Sequence, residues 1–366
     1  MKIAFICDTP YQIVNCINYC YHLQDRENAV VDLYLGHQFF GSYELKERLG
    51  KENIFQNIYG FEDKNSSNKV IHYFRRMRNI LSPRSYLEHI MEDEVDLTRK
   101  EYDSIFLSVP TMFAIAFRSL FKAASMNYYD DGLGSYYGNL VDRMNQSPQG
   151  RLCHIFGIHL EQMEAKALYV NNTALCKSTM TNDICPLPSM LHCSKDFLEL
   201  LYRVFSYIPN PDYDKYRMIY LSQPNDQGDL KMAHQAMQIM KALQPYEKQC
   251  MVRPHPRQKE LDTGKLFTDK TRGLWELLCA DQITEDHILL GTFSTAQMIP
   301  KLLYQKEPYL IFMYQIEHPM SKTMNYSSIE QMIQDLRAVY KHPEKIKVPK
   351  DLSELHMDIE GILHEK

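Results

Sequence analysis

Polar side chains suited to acid–base or anion chemistry follow four of the predicted strands. The segment "CDTPYQ" follows the first strand, and "YYDDGLG" follows the last parallel strand of the N-terminal half. In the C-terminal half, "RPHPR" follows the second strand and "GTFST" follows the third. Open parallel α/β sheets bind ligands outside the carboxyl ends of their strands. This placement predicts that the four segments lie at the edge of a ligand cleft.

The adjacent carboxylates Asp130 and Asp131 are open to several interpretations. Asp-Gly is a common turn signal, and paired carboxylates can also bind a divalent metal. The sequence offers no companion carboxylate at a persuasive spacing for a metal. A carboxylate at a strand end, with Gly132 letting the backbone turn tightly, can instead accept a proton from a sugar hydroxyl. Asp226, just past a strand in "YLSQPND", is a rival base that the residues alone do not exclude.

The segment "RPHPR" fixes a histidine between charged neighbours. Pro254 and Pro256 restrict the backbone on both sides of His255, and Arg253 and Arg257 flank them. An imidazole between two guanidinium groups suits an anionic ligand such as a phosphate. The alternative is a rigid turn that happens to expose a histidine.

Hydroxyl groups in "GTFSTAQMIP" stand between a predicted strand and a predicted helix. Ser294 is a candidate N-cap, and Thr292 and Thr295 lie beside it. These hydroxyls, with the backbone N–H groups of the first helical turn, can bind an anion. Helix capping without a ligand is the simpler alternative.

Short apolar runs alternate with helical patterns along the chain. In the first half, "KIAFIC", "AVVDLYLG", "YDSIFLSVP" and "SMNYYDD" read as strands, and "YQIVNCINYCYHL", "SYELKERLG" and "TMFAIAFRSLFKAA" read as helices. The same order restarts after "YIPNPDYDKY" with "RMIYLSQP", "KQCMVRPHP", "DHILLGT" and "PYLIFMY". Continuously apolar strands separated by helices are typical of a parallel sheet covered on both faces. The pattern predicts an α/β protein with two doubly wound, Rossmann-like domains facing across a cleft.

Length and composition agree with a globular protein of more than one domain. The chain has 366 residues, of which 45% are hydrophobic and 24% charged. We expect domains at 1–208 and 209–345, with a C-terminal helix at 346–366 that can cross back to the first domain. The net charge of −5 gives no electrostatic attraction for nucleic acid. The odd number of cysteines, nine, and the lack of a leader or membrane span predict a cytoplasmic protein.

Five segments, "FICDTPYQI", "YYDDGLG", "LSQPND", "VRPHPRQ" and "GTFSTAQMI", resemble in this order the bacterial sialyltransferases. The closest resemblance is to glycosyltransferase family 52, which includes lipooligosaccharide sialyltransferases. The matches are an acidic-acidic-Gly motif at Asp130 to Gly132, a His-Pro motif at His255 and a Ser-Ser/Thr motif at Ser294. The resemblance implies a GT-B fold, a CMP-sialic acid donor held mainly by the C-terminal domain, and no cofactor or essential metal.

The same resemblance implies roles for individual residues. His255 would contact the departing CMP phosphate, and Asp131 would be the base, with Asp226 as second choice. The donor would be contacted by Gln223, Pro254, Arg257, Thr292, Ser294 and Thr295. The acceptor would be contacted by Asp130, Tyr136, Thr9 and Gln12. Tyr136 and Tyr137 could form an aromatic platform for a sugar, with packing around the strand end as the alternative.

The expected reaction is inverting transfer of sialic acid from CMP-sialic acid to a galactose-like hydroxyl of a bacterial surface glycan, in a capsule or a lipooligosaccharide. The partners would be a nucleotide sugar and a glycan acceptor, and no nucleic acid. A peripheral position at the inner membrane face and a homodimer are left open. The rival hypotheses are a hexosyltransferase of the same fold that uses another nucleotide sugar, and a non-catalytic glycan- or nucleotide-binding protein.

Overall fold

The computed structural model divides the chain into two compact units, Met1–Ser206 and Tyr207–Lys366. The division lies close to the domain boundary placed after residue 208 from the sequence. The structure describes residues 1–23, 28–63, 82–93, 95–155, 163–191, 193–223, 230–256, 258, 261–271, 273–316 and 326–365.

The first unit contains a parallel sheet of seven strands in the order β3-β2-β1-β4-β5-β7-β9. A separate pair joins β6 to β8. The strands are β1 Lys2–Cys7, β2 Val30–Gly36, β3 Asn57–Phe61, β4 Ser104–Leu107, β5 Ser125–Tyr129, β6 Tyr137–Gly138, β7 Ala167–Val170, β8 Lys177–Ser178 and β9 Ile184–Pro186.

The strand order of the first unit changes direction between β1 and β4. Strand β1 is buried at every position but its first, because helices cover both faces of a doubly wound sheet. The predicted strand "KIAFIC" is confirmed residue for residue. A reversal of strand order opens a crevice at the carboxyl ends of the strands on either side of it.

Helices connect the strands of the first unit. The predicted helix "SYELKERLG" is confirmed at Ser42–Gly50. The first helix begins at Pro10, where the missing N–H of proline costs no hydrogen bond, and Thr9 caps it by accepting from the Gln12 N–H at 3.3 Å. The helices are Pro10–Tyr21, Ser42–Gly50, Pro83–Ile90, Met112–Leu120, Leu133–Tyr136, Leu140–Gln146, Pro148–Ile155 and Lys195–Phe205.

The second unit repeats this architecture with a parallel sheet of six strands in the order β12-β11-β10-β13-β14-β15. The order again reverses, here between β10 and β13. Its strands are β10 Met218–Leu221, β11 Cys250–Arg253, β12 Phe267–Thr268, β13 Ile288–Gly291, β14 Tyr309–Phe312 and β15 Ile346–Lys347. Its helices are Asp212–Lys215, Leu230–Leu243, Trp275–Asp281, Thr295–Tyr304, Tyr326–Val339 and Leu352–His364.

The C-terminal helix Leu352–His364 packs within the second unit. Leu355, Ile359 and Ile362 are buried in the hydrophobic core of that unit, and the Tyr246 hydroxyl lies 3.0 Å from His356 Nδ1. These contacts explain why one face of the helix is apolar. From the sequence alone, the same helix could have crossed back to the first domain. Among the described residues, no helix is long and apolar enough to cross a membrane.

A charged pair, Lys301 and Glu307, is buried in the second unit. The Lys301 ammonium donates to the Glu307 carboxylate, and the two side chains are 5% and 3% exposed. Glu307 also accepts from the backbone N–H groups of Lys341 and His342. The carboxylate therefore joins the helix Thr295–Tyr304 to the segment after Tyr326–Val339.

We expect Glu307→Ala to lower the free energy of unfolding by about 3–5 kcal/mol, because it leaves the Lys301 ammonium buried without a counter-charge. Urea unfolding of the purified variant measures the loss. Glu330→Ala, an exposed position in the same unit, is the control and should change little. The double variant Lys301→Met/Glu307→Gln should recover part of the stability, and a loss as large as that of the single variant would contradict this explanation.

Candidate functional site

Two carboxylates stand at the carboxyl edge of the first sheet. Asp8 follows β1 directly, and Asp131 follows β5 after one further residue. Strand β4 lies between β1 and β5 in the sheet. Asp8 therefore lies beside the crevice that the reversal of strand order creates, and Asp131 lies one strand beyond it.

Asp130 is a fully buried anchor for the turn that carries Asp131. One carboxylate oxygen of Asp130 accepts from the Gly132 N–H at 2.7 Å. The other accepts from the Tyr136 hydroxyl at 2.5 Å and from Asn171 Nδ2 at 3.0 Å. Burial raises the pKa of Asp130, and these donors act against that rise. Gly132 has a φ of 91°, which only glycine adopts at little cost.

The burial of this anchor changes two of the sequence-based assignments. Asp130 and Tyr136 are 0% and 1% exposed and bond to each other, so they have no surface with which to contact an acceptor. Tyr136 instead packs around the strand end, which was the alternative to an aromatic platform. Asn171, which follows β7, was missed because its proximity to Asp130 becomes visible only when β5 and β7 are paired.

Asp131 is partly buried and held by Gln12. Gln12 Nε2 donates to Asp131 Oδ1 at 2.7 Å, and the Asp131 N–H donates to the Ser135 hydroxyl at 2.9 Å. Burial raises the pKa of Asp131 to about 6, Gln12 lowers it, and the negative charge of Asp130 raises it. A carboxylate with a pKa near 6 is a better proton acceptor than an ordinary aspartate.

Asp8 was missed from the sequence, although "CDTPYQ" was singled out. Burial raises its pKa to about 7, with further increases from the charges of Asp131 and Asp63. Its backbone N–H donates to Gln12 Oε1 at 2.5 Å, so Gln12 contacts both carboxyl-bearing residues. The signal for Asp8 was its position directly after the first strand. Thr9, expected at the acceptor, has a structural contact as the helix cap.

In the second unit, a serine anchors the histidine loop. Strands β11, β10 and β13 are neighbours, and their carboxyl ends lead to His255, Ser222 and Thr292 respectively. The Ser222 hydroxyl accepts from the His255 N–H at 3.0 Å and donates to Gln258 Oε1 at 3.1 Å. Ser222 was missed from the sequence, where nothing pairs it with His255.

Four further residues in or near this loop were expected to contact the donor or to act as the base. Pro254 and Gln223 are partly buried at the ends of β11 and β10. Arg257 and Asp226, predicted as donor contact and alternative base, lie outside the described residues.

Arg253 does not serve the anion site predicted from "RPHPR". Its side chain is 12% exposed and donates to Asp269 at 2.7 Å and to the Tyr213 hydroxyl at 2.6 Å. The same guanidinium donates to the Gly273 carbonyl and lies 5.2 Å from the centre of the Trp275 ring. The expectation of His255 between two available guanidinium groups is therefore wrong for Arg253, because its charge is already neutralised.

Ser294 caps the helix Thr295–Tyr304 as predicted. Its hydroxyl accepts from the Ala296 N–H at 3.2 Å, and Gln297 Oε1 accepts from the Ser294 N–H at 3.2 Å. This capping box uses part of the hydrogen-bonding capacity that an anion would need. Thr292 is buried, whereas Thr295 is partly exposed on the first turn. Among the described residues, no group of three or more His, Cys, Asp or Glu side chains is placed to hold a metal ion.

The fold of the chain is shared with solved structures of an epimerase and of two glycosyltransferases. The UDP-GlcNAc 2-epimerase of Methanocaldococcus jannaschii, in complex with UDP-GlcNAc and UDP, has a TM-score of 0.51 and 14% identity over 100% of this chain and 94% of that chain. The spinosyn forosaminyltransferase SpnP has a TM-score of 0.52 and 10% identity, covering 100% and 91%. The spinosyn rhamnosyltransferase SpnG, complexed with thymidine diphosphate, has a TM-score of 0.50 and 8% identity, covering 100% and 92%.

These similarities show a GT-B-type fold of two Rossmann-like units, which confirms the predicted fold class. The expected membership of glycosyltransferase family 52 is wrong. The similar structures described above are a UDP-GlcNAc 2-epimerase and two glycosyltransferases that are not sialyltransferases of that family. No family model matches the sequence, and no curated protein matches it either.

The raised pKa values of Asp8 and Asp131 predict a stability that falls as the pH rises. Both carboxyls ionise near 3.8 in the unfolded chain and at about 7 and about 6 in the folded one. The stability that comes from keeping them protonated is therefore complete below pH 3.8 and is lost as the pH rises through 6 and 7.

We expect Asp8→Asn to become more stable relative to the unaltered protein between pH 5 and pH 8, by roughly 1–2 kcal/mol. Thermal and urea unfolding at both pH values measure the difference. Asp142→Asn, at an exposed position of the same unit, is the control. An equal effect of Asp8→Asn at both pH values would show that Asp8 ionises normally in the folded protein.

Proposed function

We propose that the protein is a glycosyltransferase that takes its sugar from a nucleotide sugar and inverts the anomeric centre. The observation that supports this most directly is a carboxylate with a raised pKa, Asp131, held by Gln12 at the carboxyl edge of a sheet in a GT-B-type fold. Glycosyltransferases of this fold, including SpnP and SpnG, are among the similar structures.

The reaction needs assistance at two groups, the attacking hydroxyl and the departing phosphate. The acceptor hydroxyl must lose a proton as its oxygen attacks the anomeric carbon, and Asp131 is the carboxylate we assign to that step. The bond between the anomeric carbon and the nucleotide phosphate breaks, and its electron pair leaves with the phosphate. Negative charge therefore grows on the phosphate and must be stabilised there.

We assign stabilisation of the phosphate to the carboxyl edge of the second sheet. His255 lies in a loop fixed by Pro254 and Ser222, so its position is set before a ligand binds. The helix that begins at Thr295 adds the partial positive charge of its N-terminus, although Ser294 already caps one N–H group. Both features recognise a phosphate, which every nucleotide sugar carries.

The donor is best identified with a panel of UDP-, dTDP-, GDP- and CMP-linked sugars, including CMP-sialic acid. The purified chain is incubated with each donor and an array of glycan acceptors, and the released nucleotide is measured. We expect release from one donor class that depends on the acceptor. Binding of a nucleotide sugar without release would instead support the non-catalytic alternative, and the absence of both would reject the proposal.

A second candidate is a nucleotide-sugar 2-epimerase. It is favoured by the likeness to UDP-GlcNAc 2-epimerases and by two carboxyls, Asp8 and Asp131, that titrate near neutrality. Such a pair could remove and return the proton at C2 of the sugar. In heavy water, an epimerase would place deuterium at C2 without an acceptor, whereas a transferase would not.

We expect Asp131→Asn to lower kcat/KM by about a hundredfold or more, because the amide cannot take the proton of the acceptor hydroxyl. Initial rates with the identified donor measure the loss, and circular dichroism checks the fold. Asp142→Asn removes an exposed carboxylate from the same unit and should retain normal activity. Full activity of a folded Asp131→Asn variant would remove Asp131 from this role.

His255→Ala should slow transfer by on the order of a hundredfold, because the phosphate loses one stabilising donor in the transition state. His364→Ala, at an exposed position of the same unit, is the matched control. A donor with a better leaving group, such as an activated aryl glycoside, should restore part of the rate of His255→Ala. Equal rates for the two histidine variants would contradict the assignment.

A further inference from the structure

A cavity of about 700 Å³ opens at the amino edge of the second sheet, where its strands begin. Three lysines, Lys241, Lys248 and Lys265, contribute to its lining together with one acidic side chain, Glu247. We propose that this cavity binds a small molecule that carries a phosphate group. The inference goes beyond the proposed transferase function and does not depend on it.

The cavity is separate from the edge of the sheet to which we assign the donor phosphate. Gln249, which lines the cavity, directly precedes β11, whereas His255 follows the last residue of that strand by two positions. Each residue of a strand adds about 3.3 Å, so a strand of this length separates the two edges by on the order of 13 Å. A ligand in the cavity therefore leaves the surroundings of His255 open.

Gln244 fixes one wall of the cavity. Its Nε2 atom donates to the Met240 carbonyl at 3.0 Å and to the Thr263 carbonyl at 3.1 Å. Its Oε1 atom accepts from the Lys265 N–H at 2.9 Å. The side chain thus joins the end of the helix Leu230–Leu243 to the turn that carries Lys265. A wall that is held in this way loses little conformational freedom when a ligand binds.

The turn beside this wall requires a glycine. Gly264 has a φ of 60°, and a Cβ atom there would lie 2.8 Å from Gln244 Nε2. Tyr246, also in the lining, is buried, and its hydroxyl lies 3.0 Å from His356 Nδ1 on the C-terminal helix. The cavity therefore has walls that are formed by hydrogen bonds within the unit, without help from a ligand.

The charge of the lining favours an anion. Lys241, Lys248 and Lys265 are exposed, and none of them forms an ion pair in the part of the second unit that the structure describes. Three positive charges and the negative charge of Glu247 leave a net charge of +2. Lysine ammonium groups bind phosphate as point charges, and a phosphate monoester carries about two negative charges at neutral pH. The two charges match.

Helix stabilisation explains only one of the three lysines. Lys241 lies in the last turn of the helix Leu230–Leu243, where a positive charge interacts favourably with the helix dipole. Lys248 and Lys265 lie in turns, and no helix ends at either of them. An anionic ligand accounts for the presence of all three at one cavity.

The volume of the cavity indicates a ligand larger than a bare phosphate ion. Cavities that bind small molecules typically have volumes of about 300–1,000 Å³. A sugar phosphate agrees with this size and with the charge of the lining. The same phosphate monoester also occurs on the headgroup of phosphatidic acid, so the experiment includes a soluble and a lipid source.

The test measures binding of glucose 6-phosphate to the purified full chain by calorimetry, and binding of phosphatidylcholine vesicles that contain phosphatidic acid by co-sedimentation. We expect Lys248→Gln/Lys265→Gln to weaken binding by about tenfold, because two charged contacts are lost. Lys341→Gln/Lys350→Gln, which removes two exposed charges elsewhere in the same unit, is the matched control and should bind normally. Circular dichroism checks the fold of both.

The outcomes separate the sources and the sites. Binding of glucose 6-phosphate supports a soluble ligand, and binding of the vesicles alone supports a lipid headgroup. Equal affinities of the two double variants, or no binding of either probe, would overturn the proposal. Binding that is lost in His255→Ala and kept in Lys248→Gln/Lys265→Gln would place the phosphate at the carboxyl edge and would also overturn it.

Glu247→Gln provides a test that a misfolded variant cannot imitate. Removing the one negative charge of the lining should strengthen the binding of glucose 6-phosphate by about twofold to fivefold. Added salt should reduce this gain, because the ions screen the charges. Unchanged or weaker binding by a folded Glu247→Gln variant would contradict the placement of the phosphate among the lysines.

Discussion

The candidate site of the first unit depends on the burial of one carboxylate, Asp130. Its two oxygens accept hydrogen bonds from Gly132, Tyr136 and Asn171, which come from the turn after β5, the next helix and the end of β7. A buried carboxylate without such partners would be very costly, so these contacts specify one conformation of the turn. That conformation places Asp131 beside Gln12. Asp131, to which we assign the role of base, is therefore positioned by Asp130.

Asp130 and Asp8 differ in the number of hydrogen bonds that their carboxylates accept. Asp130 has several donors for its oxygens, whereas the Asp8 carboxylate accepts no hydrogen bond from another described residue. Burial raises the pKa of Asp8 and of Asp131, and in Asp131 the hydrogen bond from Gln12 acts against that rise. Ionising these two carboxyls in the folded protein therefore lowers its stability at neutral pH.

The sequence predicted the strands, the strand ends and the capping role of Ser294, because apolar runs and turn residues are local signals. It did not reveal Asp8, Asn171 or Ser222, since their contacts join segments that only the sheet order brings together. The family resemblance failed for a related reason. An acidic residue before glycine is a common turn signal and a serine before a helix is a common N-cap, so proteins outside that family can have the same short motifs.

The same reasoning applies to the fold that this chain shares at 8–14% identity with an epimerase and two glycosyltransferases. Strand ends and a helix N-terminus are supplied by the backbone of a Rossmann-like unit and can bind phosphate, whatever the side chains around them. If the proposed transferase function holds, discrimination between donors would therefore depend on side chains that contact the base and the sugar. Loops can supply such side chains, because substitution there does not disturb the sheets, and the carboxyl-edge geometry can then stay the same for different donors.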